Sequence, residues 1–146
     1  MNAQSRSAEF LNKVLDNAVM GAEAVKMLFE KVEDDKMMSE LKREYEDYGK
    51  HAKAAIEALA SEGLDPEKQG AFSKLGLWSG IQLNTLTSRS NDKLAEIVIQ
   101  GAVMGVIDLT RLLKEYSEIP DGYRKIAEDL ISFEEDSVQK MKGFLG

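Results

Sequence analysis

The stretch Ala18-Val19-Met20-Gly21 returns as Ala102-Val103-Met104-Gly105, and each copy sits midway along an apolar series with helical spacing. Around the first copy, Leu11, Val14, Ala18, Gly21, Val25, Leu28 and Val32 advance in alternating steps of three and four, which predicts one amphipathic helix over residues 8–32. Around the second, Leu94, Val98, Gly101, Gly105, Asp108 and Leu112 do the same over residues 91–116, with an aspartate in an otherwise apolar row. Ala18, Gly21, Gly101 and Gly105 thin these stripes at their centres, so a neighbouring backbone is expected to come close there.

Each of these helices is followed by a second, more acidic one. Residues 36–61 carry Met38, Leu41, Tyr45, Tyr48, Ala52, Ala55 and Leu59 on one face. An Asp at 34 or 35 can cap the start, and Gly63 suits the left-handed residue past the end. From Pro120 or Asp121 to Phe144, the inward series is Tyr123, Ile126, Leu130, Phe133 or Glu134, Ser137, Met141 and Phe144. The expected architecture is all-α: a four-helix bundle made of two hairpins, 8–63 and 90–145, in a single domain spanning residues 1–146.

The crossover at 65–89 is too long for the turn between antiparallel bundle neighbours. Asp65-Pro66 reads as a cap followed by proline at the first helical position. A helix of about twenty residues would travel ~30 Å, enough to carry the chain to the far end of the bundle. On such a helix Phe72, Leu75, Leu83 and Leu86 gather on one side and Leu77, Trp78 and Ile81 on the other. The second group is then an exposed patch or an interface with another subunit; if Gly76 and Gly80 break the helix, both groups face one core.

Lys and Arg number 19 against 26 acidic residues, a net charge of -7, so the long-range field repels nucleic acid and anionic lipid. With no cysteine, thiolate metal sites and cysteine nucleophiles are excluded. Residues 1–10 are polar, without the apolar core of a signal peptide, and the run 97–107 is too short to span a bilayer. A cytoplasmic location is expected, with no membrane and no nucleic acid as partner. There is no glycine-flanked serine at a strand-to-helix turn, no phosphate-cradling loop and no EF-hand spacing.

Two hairpins joined by a crossover, with small residues and stray polar groups at mid-height, resemble the ferritin-like superfamily. The resemblance implies a dinuclear iron or manganese site built from a glutamate on each of two helices and a Glu-x-x-His on each of the others. This chain departs from that pattern. Glu23 falls on the outer side of its stripe, the second helix reads Tyr48-x-x-His51, the later helix offers Asp108, and Glu134 and Glu135 are followed at the third position by Ser137 and Val138. His51 is the sole histidine, so two histidines cannot meet within one chain.

What remains is a mid-height cluster of Tyr48, His51, Asp108 and Glu134. In the favoured reading it is structural: a core carboxylate held by hydrogen bonds from Tyr48 or His51, in which His51 stays charged to higher pH than a free histidine. The alternative is a reduced metal site with one nitrogen and two or three oxygen ligands. No cofactor is favoured, iron or manganese being the alternative. The function expected is a non-catalytic helical module, a homo-oligomer that self-associates or binds a protein partner through the crossover. The alternative is a metal-binding oxidoreductase or an iron- or manganese-handling protein.

Overall fold

The computed structural model describes residues 2–66 and 90–146. Four helices account for most of them: α1 (Ala3–Leu28), α2 (Asp35–Ser61), α3 (Asn91–Glu115) and α4 (Asp121–Lys142). The expected crossover, with Leu77, Trp78 and Ile81, lies outside the described residues.

Three of the four helix starts follow from side-chain acceptors placed one step before the first turn, where backbone N–H groups lack partners. Asn2 accepts from Ser5 N, Asp34 from Met37 N and Ser90 from Lys93 N. The Asn2 cap is why α1 begins five residues earlier than its apolar stripe suggests. Gly63 ends α2 at φ +71, and Leu64 N returns to Leu59 O at 3.0 Å. The α3 C-terminus is finished from the next helix: Arg124 Nη1 donates to the carbonyls of Leu113 (3.0 Å) and Tyr116 (2.8 Å).

Contacts are densest within each hairpin, α1 with α2 and α3 with α4, and the hairpins meet through α1 against α3 and α2 against α4. Directions follow from pairs bridging the helices. Arg6 Nε reaches Glu118 Oε1 (2.7 Å) and Asn17 Nδ2 reaches the Gly105 carbonyl (3.2 Å), so α1 and α3 are antiparallel. Since α1 and α2 are antiparallel as well, α2 and α3 run parallel, and the end of α2 and the start of α3 lie at opposite ends of the bundle.

The core fills from all four stripes. Phe10, Leu11 and Val14 of α1, Leu41 and Leu59 of α2, Leu94 of α3, and Leu130 and Met141 of α4 are fully buried. Burial of each such side chain is worth roughly 1.5–3 kcal/mol, which outweighs helix propensity as the term that holds the hairpins together. Asp108 breaks its row differently from the expectation: it is exposed, and Leu109 takes the buried position beside it. The α3 helix turns its other flank to solvent, leaving Val103, Met104 and Ile107 each more than 40% exposed.

Candidate functional site

The polar centre of the bundle is built where the two hairpins face each other. On α2, Glu44 and Tyr48 are one turn apart; on α4, Glu134 and Ser137 are likewise one turn apart, and all four are buried. Tyr48 Oη donates to Glu134 Oε2 at 3.1 Å, and Ser137 Oγ donates to Glu44 Oε1 at 2.5 Å. Each helix thus contributes one hydroxyl and one carboxyl, and they pair crosswise.

Burial acts on both carboxyls more strongly than any neighbour does. It pushes Glu134 up to about 8, with Asp108 adding to the rise and the Tyr48 hydrogen bond opposing it. It also pushes Glu44 up to about 8, opposed by the Ser137 hydrogen bond and by Arg43 and reinforced by Glu40. Tyr48 is raised well above its ordinary value by burial and by both glutamates. Near neutral pH both carboxyls therefore carry a proton, which removes most of the cost of an unpaired buried charge. The second oxygen of Glu134, Oε1, has no hydrogen-bond partner, whereas a hydrogen bond with Glu40 adds to the rise of Glu44.

The repeated glycines make room for these groups. A Cβ built on Gly21 would stand closer than 3.0 Å to three ring atoms of Tyr48, and one built on Gly105 closer than 3.0 Å to the Glu134 carboxyl. The thin centre of each stripe was expected to admit a neighbouring backbone; what enters is a side chain of the hairpin partner, an aromatic ring in one copy and a carboxyl in the other. Ala18 is fully buried in the core, while Gly101 lies half-buried one turn before Gly105 on α3.

Of the cluster expected from sequence, Tyr48 and Glu134 meet, whereas His51 and Asp108 stay apart from them. His51 is half-buried with its ring against Phe133, centroids 5.3 Å apart. Its pKa is lowered, because desolvation outweighs the opposing pull of Asp129 and Asp47, which reverses the expectation that it would stay charged to higher pH. Asp108 stays in solvent and reaches Glu134 only through its charge. Glu44 was missed because its neighbours Arg43, Asp47 and Glu40 make the stretch read as a solvated charged face. Its phase, three residues past Leu41 and four before Tyr48, was the available signal.

Between α1 and α3 lies an open cavity of about 400 Å³. Met20, Val25, Ile97 and Met104 are among its apolar walls, Asn17, Tyr48 and Glu134 supply polar atoms at its floor, and Asp108 stands at its rim. Asn17, 7% exposed, spends its amide N–H on the Gly105 carbonyl and leaves Oδ1 without a partner.

Neither a protein-family model nor a curated protein matches the chain. Among solved structures, it is similar to that of Dps92 from Deinococcus radiodurans, with a TM-score of 0.77 over 99% of this chain and 88% of that one, at 11% identity. The chain has a ferritin-like fold. In that fold the dinuclear centre sits where four helices converge at mid-height, and the donors that the described residues bring there do not fit one. Among the described residues no group of three or more His, Asp or Glu side chains converges. The single imidazole is turned to Phe133, and the two buried carboxyls are each engaged by a hydroxyl. No helix among the described residues is long and apolar enough to cross a membrane.

Proposed function

We propose that this chain is a non-catalytic ferritin-like bundle, in which a crosswise hydroxyl and carboxyl lock stands where its fold would place a dinuclear centre, and that it acts as a self-associating binding module. The observation that carries the reading is the pairing of Tyr48 with Glu134 and Ser137 with Glu44. Tyr48 stands where the Glu-x-x-His pattern has its glutamate and Ser137 where it has its histidine, and both hydroxyls are satisfied by the carboxyls a metal would need. The open cavity between α1 and α3, apolar with a few polar side chains in its lining, has the composition of a small-molecule site.

The discriminating variant is Glu44→Gln with Glu134→Gln. In a lock, both amides keep an acceptor for the facing hydroxyl, the bundle folds, and its stability at alkaline pH rises because two buried ionisations are gone. In a metal centre, the same pair of changes removes a stoichiometric iron or manganese signal from protein purified without chelators, and that result would overturn the reading. Self-association is tested at the patch expected from sequence: sedimentation of Trp78→Ala should give a smaller species than the parent chain, and an unchanged profile argues against an interface there.

A further inference from the structure

The cavity between α1 and α3 has polar chemistry of one kind. Glu134 is 2% exposed, its Oε2 is taken by Tyr48, and its Oε1 is unpartnered. Asn17 is 7% exposed, its amide N–H is taken by the Gly105 carbonyl, and its Oδ1 is unpartnered. Both side chains lie against the same residue, Gly105, and both line the cavity, with their unpartnered oxygens buried just beneath its floor. Buried polar atoms left unpaired cost on the order of 1–3 kcal/mol each, so a cation that takes the place of the Glu134 proton and donates to both oxygens recovers that cost.

We propose that this cavity binds an amphipathic amine, its apolar body lying between Met20 and Met104 and its ammonium donating to Glu134 Oε1 and Asn17 Oδ1. Three features select this chemistry. The free polar atoms are oxygens on a carboxyl and a carboxamide, with the Asp108 carboxylate at the rim, so an anionic headgroup is repelled. An alcohol donates to only one of these oxygens, whereas an ammonium, which has three donors, can donate to both once it has displaced the Glu134 proton. A bare or hydrated metal ion would leave the walls formed by Met20, Val25, Ile97 and Met104 without a partner. The volume of about 400 Å³ lies in the range of small-molecule sites. The inference rests on the binding-module reading, since a dinuclear centre would claim Glu134.

Binding carries a proton signature. Glu134 is faced by Tyr48 from α2, by Asp108 from α3 and by the uncharged Asn17 from α1, and burial holds its carboxyl up at about 8. An ammonium brought against it displaces the proton, so below pH 8 the complex forms with proton release.

The test is calorimetry on the full chain with octylammonium, octanol and octanoate in two buffers of different ionisation enthalpy, with Mn²⁺ as a separate arm. Octylammonium is expected to bind about tenfold or more tighter than either isostere and to release a proton at pH 7. Glu134→Gln should abolish the preference and the proton release. Ala24→Phe, which fills the cavity wall away from the buried lock, should weaken octylammonium by about tenfold or more even if the Gln variant fails to fold. Equal binding of octanol, no binding of any of the three, or an unaltered affinity in Ala24→Phe would overturn the amine proposal alone. Stoichiometric Mn²⁺ binding lost in Glu134→Gln would overturn it together with the binding-module reading.

Discussion

Replacing Gly21 with alanine is the sharpest test of the packing at the bundle centre. Gly21 lies inside α1, where exchanging glycine for alanine favours the helix by about 0.5–1 kcal/mol. The added Cβ would stand closer than 3.0 Å to three atoms of the Tyr48 ring, so the ring must retreat by roughly an ångström to restore ordinary contact. Its retreat is limited by its neighbours. Phe133 packs edge-on against it, ring centroids 4.8 Å apart, and its hydroxyl is tied to Glu134. Overpacking of this kind costs about 1–3 kcal/mol, and moving Tyr48 Oη off Glu134 leaves buried polar atoms unpaired for about another 1–3 kcal/mol. Subtracting the helix gain leaves a net loss of roughly 1–5 kcal/mol. For a domain of this size that is a fall in Tm of about 2–20 °C, or a lower urea midpoint at an unchanged m-value. Gly49 on α2 is the internal control: a Cβ there meets nothing within 4 Å, so Gly49→Ala should raise stability by about 0.5–1 kcal/mol. If Gly21→Ala stabilises as Gly49→Ala does, the ring is not confined as described and the reasoning is refuted.

The second copy should respond in the same direction. Gly105→Ala drives a Cβ into the Glu134 carboxyl and is expected to cost about 1–4 kcal/mol, with a Tyr48→Phe background removing part of that penalty in a double-mutant cycle. Stability should fall as pH rises through the window from 4.5 to about 8, because the unfolded chain has released the Glu44 and Glu134 protons there while the folded chain retains them. At about 1.4 kcal/mol per proton for each pH unit crossed, the two groups make this a change of several kcal/mol, read by urea melts across that range. The slope should flatten in the double Gln variant, and a slope that survives would assign it to other groups. The His51 imidazole should titrate below 6.5 by NMR; a midpoint above that value would mean Asp129 and Asp47 outweigh its burial.

The helices were legible in the sequence because their stripes keep strict helical spacing over several turns, and the fold class followed from the hairpin echo. The α1 start was not, since Asn2 acts through one hydrogen bond and leaves no periodic trace. The centre was half legible. Tyr48 and Glu134 fall on inward phases, and the ambiguity between Phe133 and Glu134 is settled by Gly105, whose missing side chain admits the carboxyl. Asp108 misled because it occupies a stripe position near the edge, where a small rotation of α3 carries it to solvent. His51 misled by residue type, its ring being used as a flat apolar surface against Phe133. Glu44 stayed hidden because local charge density outvoted its phase.

The crosswise pairing at the centre also dictates how the halves of the molecule seat. Slide α4 along α2 by one turn and Glu134 arrives opposite Glu44, acid against acid, while Tyr48 is left facing Leu130; slide it the other way and Glu44 confronts Met141. Only one alignment gives each carboxyl on that seam a hydroxyl mate, so the four side chains work as teeth of unequal shape that let the arms close in a single notch.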